Sequence, residues 1–177
     1  MKAVRLTLIC HALTQAQKVG RFPCAEDAIL ALDEPVLAVA SELLCAPERR
    51  ATQTAALLGP ALRLEPALAD CDMGRWQGVA LKQLQQEEPD ALAQWLQDPT
   101  QAPHGGESVA ALCQRVERWL RAFDTPGEWL AVTHPMVMRA AMVALLGCPL
   151  AAFQRIDVPP LSRLSLSHAG QWRLRLA

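Results

Sequence analysis

The chain has 177 residues, 51% of them hydrophobic and 20% charged, with 17 Lys+Arg against 18 Asp+Glu and a formal net charge of -1. At about 150 residues per domain this is one domain, residues 1–177, large enough to bury a core without metal or disulfide staples. The charge balance argues against nucleic-acid or membrane-surface binding through bulk electrostatics, and leaves room for a local anion site.

The cysteines, Cys10, Cys24, Cys45, Cys71, Cys113 and Cys148, are widely spaced with no C-x-x-C pair, which argues against structural zinc. The N-terminus has no basic n-region, long apolar h-region or small-residue cleavage site, so a cytoplasmic protein with free thiols is expected. No apolar run approaches the ~18 residues of a membrane span.

In chain order, Ala3 to Cys10 is a short apolar run rich in β-formers, the pattern of a buried strand opening onto a loop that starts at His11. Thr14 to Asp33 has weak periodicity and reads as a loop with one short helix. Ser41 to Cys45 is a second strand, followed by a helix begun by Pro47 and closed by Gly59-Pro60, with Arg50 in its first turn. Ala61 to Leu64 is a third strand, then a looped path through Gly74 and Gly78 and two helices separated by Pro89. Glu107 to Phe123 has apolar residues at three- and four-residue spacing and is the strongest amphipathic helix. Trp129 to Thr133 is a strand, His134-Pro135 a turn, and Met136 to Leu146 a helix ended by Gly147. Leu161 to Ser167 and Gln171 to Leu176 form a hairpin. This alternation predicts a three-layer α/β domain with a mostly parallel sheet and an antiparallel element at its end.

Ligands of open α/β sheets bind beyond the carboxyl ends of the strands. Two of the four histidines, His11 and His134, follow directly on apolar strands. Arg50 is a third strand-end group, and a cation in a first helical turn opposes the helix dipole unless an anion lies nearby. Two imidazoles, a guanidinium and helix N-termini together describe a phosphate site. Each has a plainer reading: a lone strand-end histidine is usually a turn residue. Trp76 and Trp95 read as packing groups, His104 and His168 as exposed loop residues, and Arg139 as one half of a structural ion pair.

Leu8-Ile9-Cys10-His11-Ala12-Leu13-Thr14 resembles the L-I-R-H-G-x-T opening motif of the histidine phosphatase superfamily, phosphoglycerate mutase-like branch. Arg50-Ala51-Thr52-Gln53-Thr54-Ala55 resembles its R-A-x-Q-T-A helix start. Asp70 with Gly74-Arg75-Trp76-Gln77-Gly78 is similar to its E-x-x-x-G-x-W-E-G segment, Gly106-Glu107-Ser108 to its G-E-S, and Val132-Thr133-His134-Pro135 with Arg139 to its V-S-H-G-x-x-x-R. The elements follow the family's order from residue 6 to about 146. The resemblance implies the phosphoglycerate mutase-like fold and a phosphomonoester hydrolase working through phospho-His11 on a small phosphorylated substrate. Arg50 and His134 would hold phosphoryl oxygens and Asp70 would exchange the proton, with Asp72 the local alternative. Cys10, Thr14, Arg21, Glu107 and Ser108 would contact substrate. No metal or organic cofactor is implied; a homodimer is open, and a mutase is disfavoured by the lack of long insertions.

The departures bear on activity. The family's Arg beside the nucleophile is Cys10, its Gly is Ala12, its Glu is Asp70, and its Gly after the second His is Pro135. A thiol does not replace a guanidinium fork, and losing one preorganised donor commonly costs about 10²–10³ in rate. The alternative is therefore a catalytically impaired member that binds a phosphorylated ligand or a protein partner, with Arg21 the first candidate to fill the missing cation's place. A cysteine phosphatase is excluded, since C-x5-R is absent and only four residues separate Cys45 from Arg50.

Overall fold

The computed structural model describes residues 4–32, 42–60 and 62–175. Six strands form one sheet in the order β3-β2-β4-β1-β5-β6, comprising β1 (Val4–Cys10), β2 (Leu43–Cys45), β3 (Leu62–Leu64), β4 (Gly127–Thr133), β5 (Arg163–His168) and β6 (Trp172–Arg175). β1 to β4 are mutually parallel, and β5 runs antiparallel to both β1 and β6. The expected α/β architecture with a mostly parallel sheet and a terminal hairpin is what the chain forms. Ala3, Asp33, Ser41, Ala61 and Leu176, which bound several expected elements, lie outside the described residues.

The central strands are central because of their side chains. β1 buries all but Arg5 and Thr7, and β4 buries Trp129 and then Ala131, Val132 and Thr133, so both are apolar on two faces at the end where they meet the site. The helices are α1 (Gln15–Val19), α2 (Arg49–Ala56), α3 (Leu81–Glu87), α4 (Pro89–Gln97), α5 (Val109–Ala122) and α6 (Pro135–Leu146). α2 turns Arg50, Ala51, Thr54 and Ala55 inward, one stripe at helical spacing that packs on β2 and β4. α5 buries Val109, Leu112, Cys113, Val116, Trp119 and Leu120 and packs along α6. Fully burying each such aliphatic side chain contributes roughly 1.5–3 kcal/mol. A 3-10 stretch at Leu150–Arg155, not anticipated from the sequence, carries the buried Phe153. Among the described residues no helix is long and apolar enough to cross a membrane.

Two loops that carry acidic residues meet backbone to backbone. A Cβ on Gly106 would stand 2.0 Å from the carbonyl oxygen of Asp72, and one on Gly74, where φ is +48°, would stand 2.2 Å from that of His104. Hydrogen bonds from Arg75 N–H to His104 O (3.0 Å) and from Glu107 N–H to Asp72 O (2.7 Å) close the pair. Behind them Trp76 packs against Phe22, Trp95 and His104 with ring centroids 5.1–6.0 Å apart. Gly106→Ala is expected to lower unfolding free energy by about 2–4 kcal/mol, because backbone and not a flexible side chain must yield. Urea denaturation of the variant checks this, and an unchanged midpoint would show that the loops are free to separate.

Candidate active site

Because β1 and β4 are parallel neighbours with Cys10 opposite Thr133, the residues that follow them emerge at the same sheet edge. His11 N–H donates to Thr133 O at 2.9 Å, and the rings of His11 and His134 lie 5.2 Å apart. His11 is 2% exposed. Its Nδ1 lies 2.7 Å from the carbonyl of Ala12; a carbonyl only accepts, so Nδ1 carries the hydrogen and Nε2 the lone pair. Burial, and then the neighbouring His134, push the His11 pKa down to about 4. At neutral pH this ring is uncharged with a fixed tautomer, and its Nε2 lone pair is available to an electrophile.

The chain leaving β2 places two charged groups at the same edge. Arg50, 2% exposed, donates from one terminal nitrogen to Cys24 O at 2.8 Å and from the other to Asp70 Oδ2 at 2.5 Å. Its Nε is buried without a partner. Glu48, at the N-cap of α2, reaches two ways: Oε2 accepts from His134 Nε2 at 2.7 Å and Oε1 accepts from Asp70 N–H at 2.9 Å. Thr54 on α2 donates to Arg50 O (2.7 Å) and accepts from Ala12 N–H (3.0 Å), so the helix fixes the backbone just after His11.

Asp70 is delivered from the other side of β2. Thr133 Oγ1 donates to Leu68 O at 2.8 Å, and the Arg115 guanidinium on α5 donates to the carbonyls of Ala67, Ala69 and Asp70 while forking onto Glu107. Asp70 Oδ2 receives Arg50 and lies 3.5 Å from His134 Nδ1, which has no other partner. Burial raises the Asp70 pKa, but His134 and Arg50 outweigh it and hold the carboxyl below its usual range. Glu48 behaves alike: burial opposes ionisation, and the hydrogen bond and charge of His134 overcome it. Both acids are ionised in the free protein.

The expected catalytic residues His11, Arg50, Asp70 and His134 thus converge. The expected substrate contacts are placed differently. Cys10 is fully buried in the core beneath His11, and burial with the nearby Asp70 pushes its thiol up to about 12. This is an inert thiol beneath the site and not a group on its surface. Thr14 is buried as the N-cap of α1, its hydroxyl accepting from Gln17 N–H in a capping box. Arg21 forks onto Asp27, which braces the loop 20–27 at the rim, so its guanidinium is committed there and not to the place of the missing Arg. Glu107 is held by Arg115, and Ser108 caps α5 by accepting from Ala111 N–H at 3.1 Å. Pro135 sits at the first position of α6, where the absent N–H has no intrahelical partner to lose. His104 is buried at 1% exposure against Trp76, with Nδ1 accepting from Gly106 N–H, and is not the exposed loop residue expected. Arg139 stacks over Phe153 at 5.8 Å instead of entering an ion pair shorter than 4 Å with a described residue.

Three participants were missed: Glu48, Thr54 and Arg115. Glu48 carried a usable signal, since it follows Pro47 just past a strand end, where Arg50 was already singled out. Thr54 and Arg115 carried none, because the bonds that tie them to the site, to Ala12 and to the carbonyls of Ala67, Ala69 and Asp70, span 42 and more residues. A cleft of about 250 Å³, lined among others by Cys24, Glu48, Arg50, Asp70, Asp72 and Gln77, opens from this cluster to solvent.

A family model of the histidine phosphatase superfamily (branch 1) matches residues 30–176. The chain is 32% identical over 181 residues to the glucosyl-3-phosphoglycerate phosphatase of Mycobacterium tuberculosis strain H37Rv, spanning 85% of this chain and 79% of that protein. It is 28% identical over 169 residues to phosphoserine phosphatase 1 of Hydrogenobacter thermophilus, spanning 85% and 80%. Among solved structures, the alpha-ribazole phosphatase of Shigella flexneri superposes with a TM-score of 0.81 at 25% identity, over 97% of this chain and 95% of that one.

The burial of His11 makes its titration a direct probe of the site. Its imidazole is expected to titrate near pH 4 in the folded protein, against 6.5 unperturbed, read from ¹⁵N–¹H correlation of the ring. Between those values the unfolded chain binds the proton first, so acidification from pH 6.5 to 4 lowers stability, and the contribution is fully present only above 6.5. A midpoint above 6 would place the ring in solvent.

Proposed function

The chain belongs to the histidine phosphatase superfamily and is a phosphatase, and we propose that it hydrolyses small phosphate monoesters through a phosphohistidine on His11. The observation that carries this reading is a shared oxygen. Arg50 and His134 both face Asp70 Oδ2, at 2.5 and 3.5 Å, so the free protein holds one anionic oxygen of its own between the two groups proposed to clamp phosphate. The buried, unpartnered Arg50 Nε adds a donor that a phosphoryl group satisfies and a single carboxylate does not.

The steps follow from this arrangement. A phosphate monoester displaces Asp70 Oδ2 from Arg50 and His134 and brings its own negative charge. Both changes remove what held the Asp70 pKa down, so Asp70 takes up a proton as substrate binds. The His11 Nε2 lone pair attacks phosphorus, the P–O bond to the alcohol breaks, and the departing alkoxide takes the Asp70 proton. The His11 Nδ1–H keeps its bond to Ala12 O and offsets the charge arising on the ring. A water then gives its proton to the Asp70 carboxylate and attacks phosphorus, the P–N bond breaks, and phosphate leaves with His11 neutral again. Glu48 accepts from His134 Nε2–H throughout, and with the ring protonated at both nitrogens Nδ1–H is turned to donate to a phosphoryl oxygen. Positioning and charge carry the catalysis, as they do in phosphoryl transfer generally.

In this reading the place of the missing Arg is not essential, since two donors and two imidazole edges stand at the site without it. The impaired alternative gains no specific support from the relatives, which are named phosphatases. Phosphate release from p-nitrophenyl phosphate and a panel of alkyl phosphates is the test. His11→Ala is expected to lose at least about 10³-fold in kcat. Asp70→Asn is expected to lose about 10²–10⁴-fold on alkyl phosphates and far less on p-nitrophenyl phosphate, whose leaving group needs no proton. Full activity of His11→Ala would overturn the proposal.

A further inference from the structure

Among the described residues, Leu161 alone has a positive φ without being a glycine, at +61°. A bulky side chain in that region crowds its own backbone, and it is kept there only by surroundings that dictate it. Leu161 lies in the turn Pro159-Pro160-Leu161-Ser162, closed by Ser162 N–H on Pro159 O at 3.2 Å. With proline second and a positive φ third, this is a turn in which glycine or asparagine is usual at the third place. The two prolines fix their own φ and restrict the residue before each, so the chain reaches Leu161 with little freedom.

The turn sits against the end of β1. Ser162 O accepts from Cys10 N–H at 3.0 Å, and the Leu161 N–H is shared between Cys10 O at 3.2 Å and His11 O at 3.4 Å. His11 O is one end of the His11–Ala12 peptide, and the other end, Ala12 N–H, donates to Thr54 Oγ1 at 3.0 Å. That peptide plane is therefore gripped at both ends. The next carbonyl along the chain, Ala12 O, is the acceptor that fixes His11 Nδ1–H at 2.7 Å. Tilting the plane swings Ala12 O away from the ring and frees Nδ1. A Leu161 relaxed to negative φ turns its N–H off His11 O and leaves Thr54 alone to hold the plane. The strain at Leu161 thus acts on the orientation of one imidazole.

Resting on the reading of His11 as the group that attacks phosphorus, we propose that Leu161 is a positioning residue for that attack, its left-handed backbone holding the His11–Ala12 peptide so that Nε2 points into the site.

Substitutions that differ in their tolerance of positive φ separate this role from packing. Valine, branched at Cβ, resists it; asparagine adopts it readily but removes the half-buried apolar side chain. Leu161→Val is expected to lower kcat for p-nitrophenyl phosphate by about 10–10²-fold with KM within about threefold, as a misplaced nucleophile does. Leu161→Asn is expected to keep at least about tenfold more kcat than Leu161→Val. Titration of the His11 ring gives a readout that needs no turnover: in Leu161→Val the midpoint is expected to rise from about 4 toward 6.5, and in Leu161→Asn to stay. A packing role gives the opposite order, because asparagine loses more apolar surface than valine. Parental kcat and ring titration in Leu161→Val overturn the proposal, and so does Leu161→Asn losing as much kcat as Leu161→Val. If Leu161→Val does not fold, Leu161→Asn decides alone: a parental ring titration without the leucine side chain supports the backbone role, and a shifted one overturns it. Failure of the underlying reading looks different, since the parent then releases no phosphate, or releases it equally as His11→Ala, while the ring titrations still tell whether Leu161 sets His11.

Discussion

The site depends on one pairing, the parallel register of β1 and β4 that sets Cys10 opposite Thr133. Side chains alternate along a strand, so a slip of one residue would turn His11 into the core position of Cys10 and away from His134. The apolar run from Leu6 to Cys10 resists that slip, because it would carry Leu6 and Leu8, both fully buried here, to the more open positions of Arg5 and Thr7. The rest is built outward from this edge: Thr54 holds the backbone after His11, Glu48 holds the second imidazole, and Thr133 anchors the segment that brings Asp70.

Electrostatically the cluster is organised around acids that are already satisfied. Glu48 and Asp70 are ionised in the free protein because His134 and Arg50 overcome the cost of burying them. This keeps the cationic groups oriented at low reorganisation cost, since their partners are fixed by backbone N–H groups of Asp70 and Cys71. Under the proposed mechanism an incoming anion exchanges with an internal one, so proton movement accompanies binding and does not wait for bond breaking.

Much of this was legible in the sequence. Apolar strands ending at His11 and His134, and a helix opening at Arg50, point to one sheet edge once a parallel sheet is inferred from the alternation of elements. The helix from Val109 was readable because its apolar residues keep helical spacing over four turns. What escaped was tertiary. His104 sits in a Gly-rich segment that reads as solvent-exposed, and is buried because Gly74 and Gly106 let two backbones touch. Glu48 and Arg115 look like surface charges until the chain folds. Cys10 shows the converse: motif position put it at the ligand, whereas a short, poorly hydrated thiol is better accommodated in the core. The family match beginning at residue 30 leaves out the segment in which Cys10 and Ala12 depart from the family pattern.

The Arg115 fork has a mechanical consequence. α5, which carries Arg115, packs along α6, which begins at His134. One guanidinium ties α5 to the carbonyls of Ala67, Ala69 and Asp70. The acid and the second imidazole therefore ride on a single rigid frame, and separating them requires undocking a buried helix. The opposite wall, the loop 20–27, is pinned as well, by the Arg21–Asp27 pair, by Cys24 O on Arg50, by backbone hydrogen bonds of Phe22 with Val79 and Gly78 and of Arg49 with Ala25, and by Phe22 packed on Trp76. Both walls are thus fastened by bonds between residues far apart in sequence, so the width of the cleft is set by the whole fold and not by either loop alone.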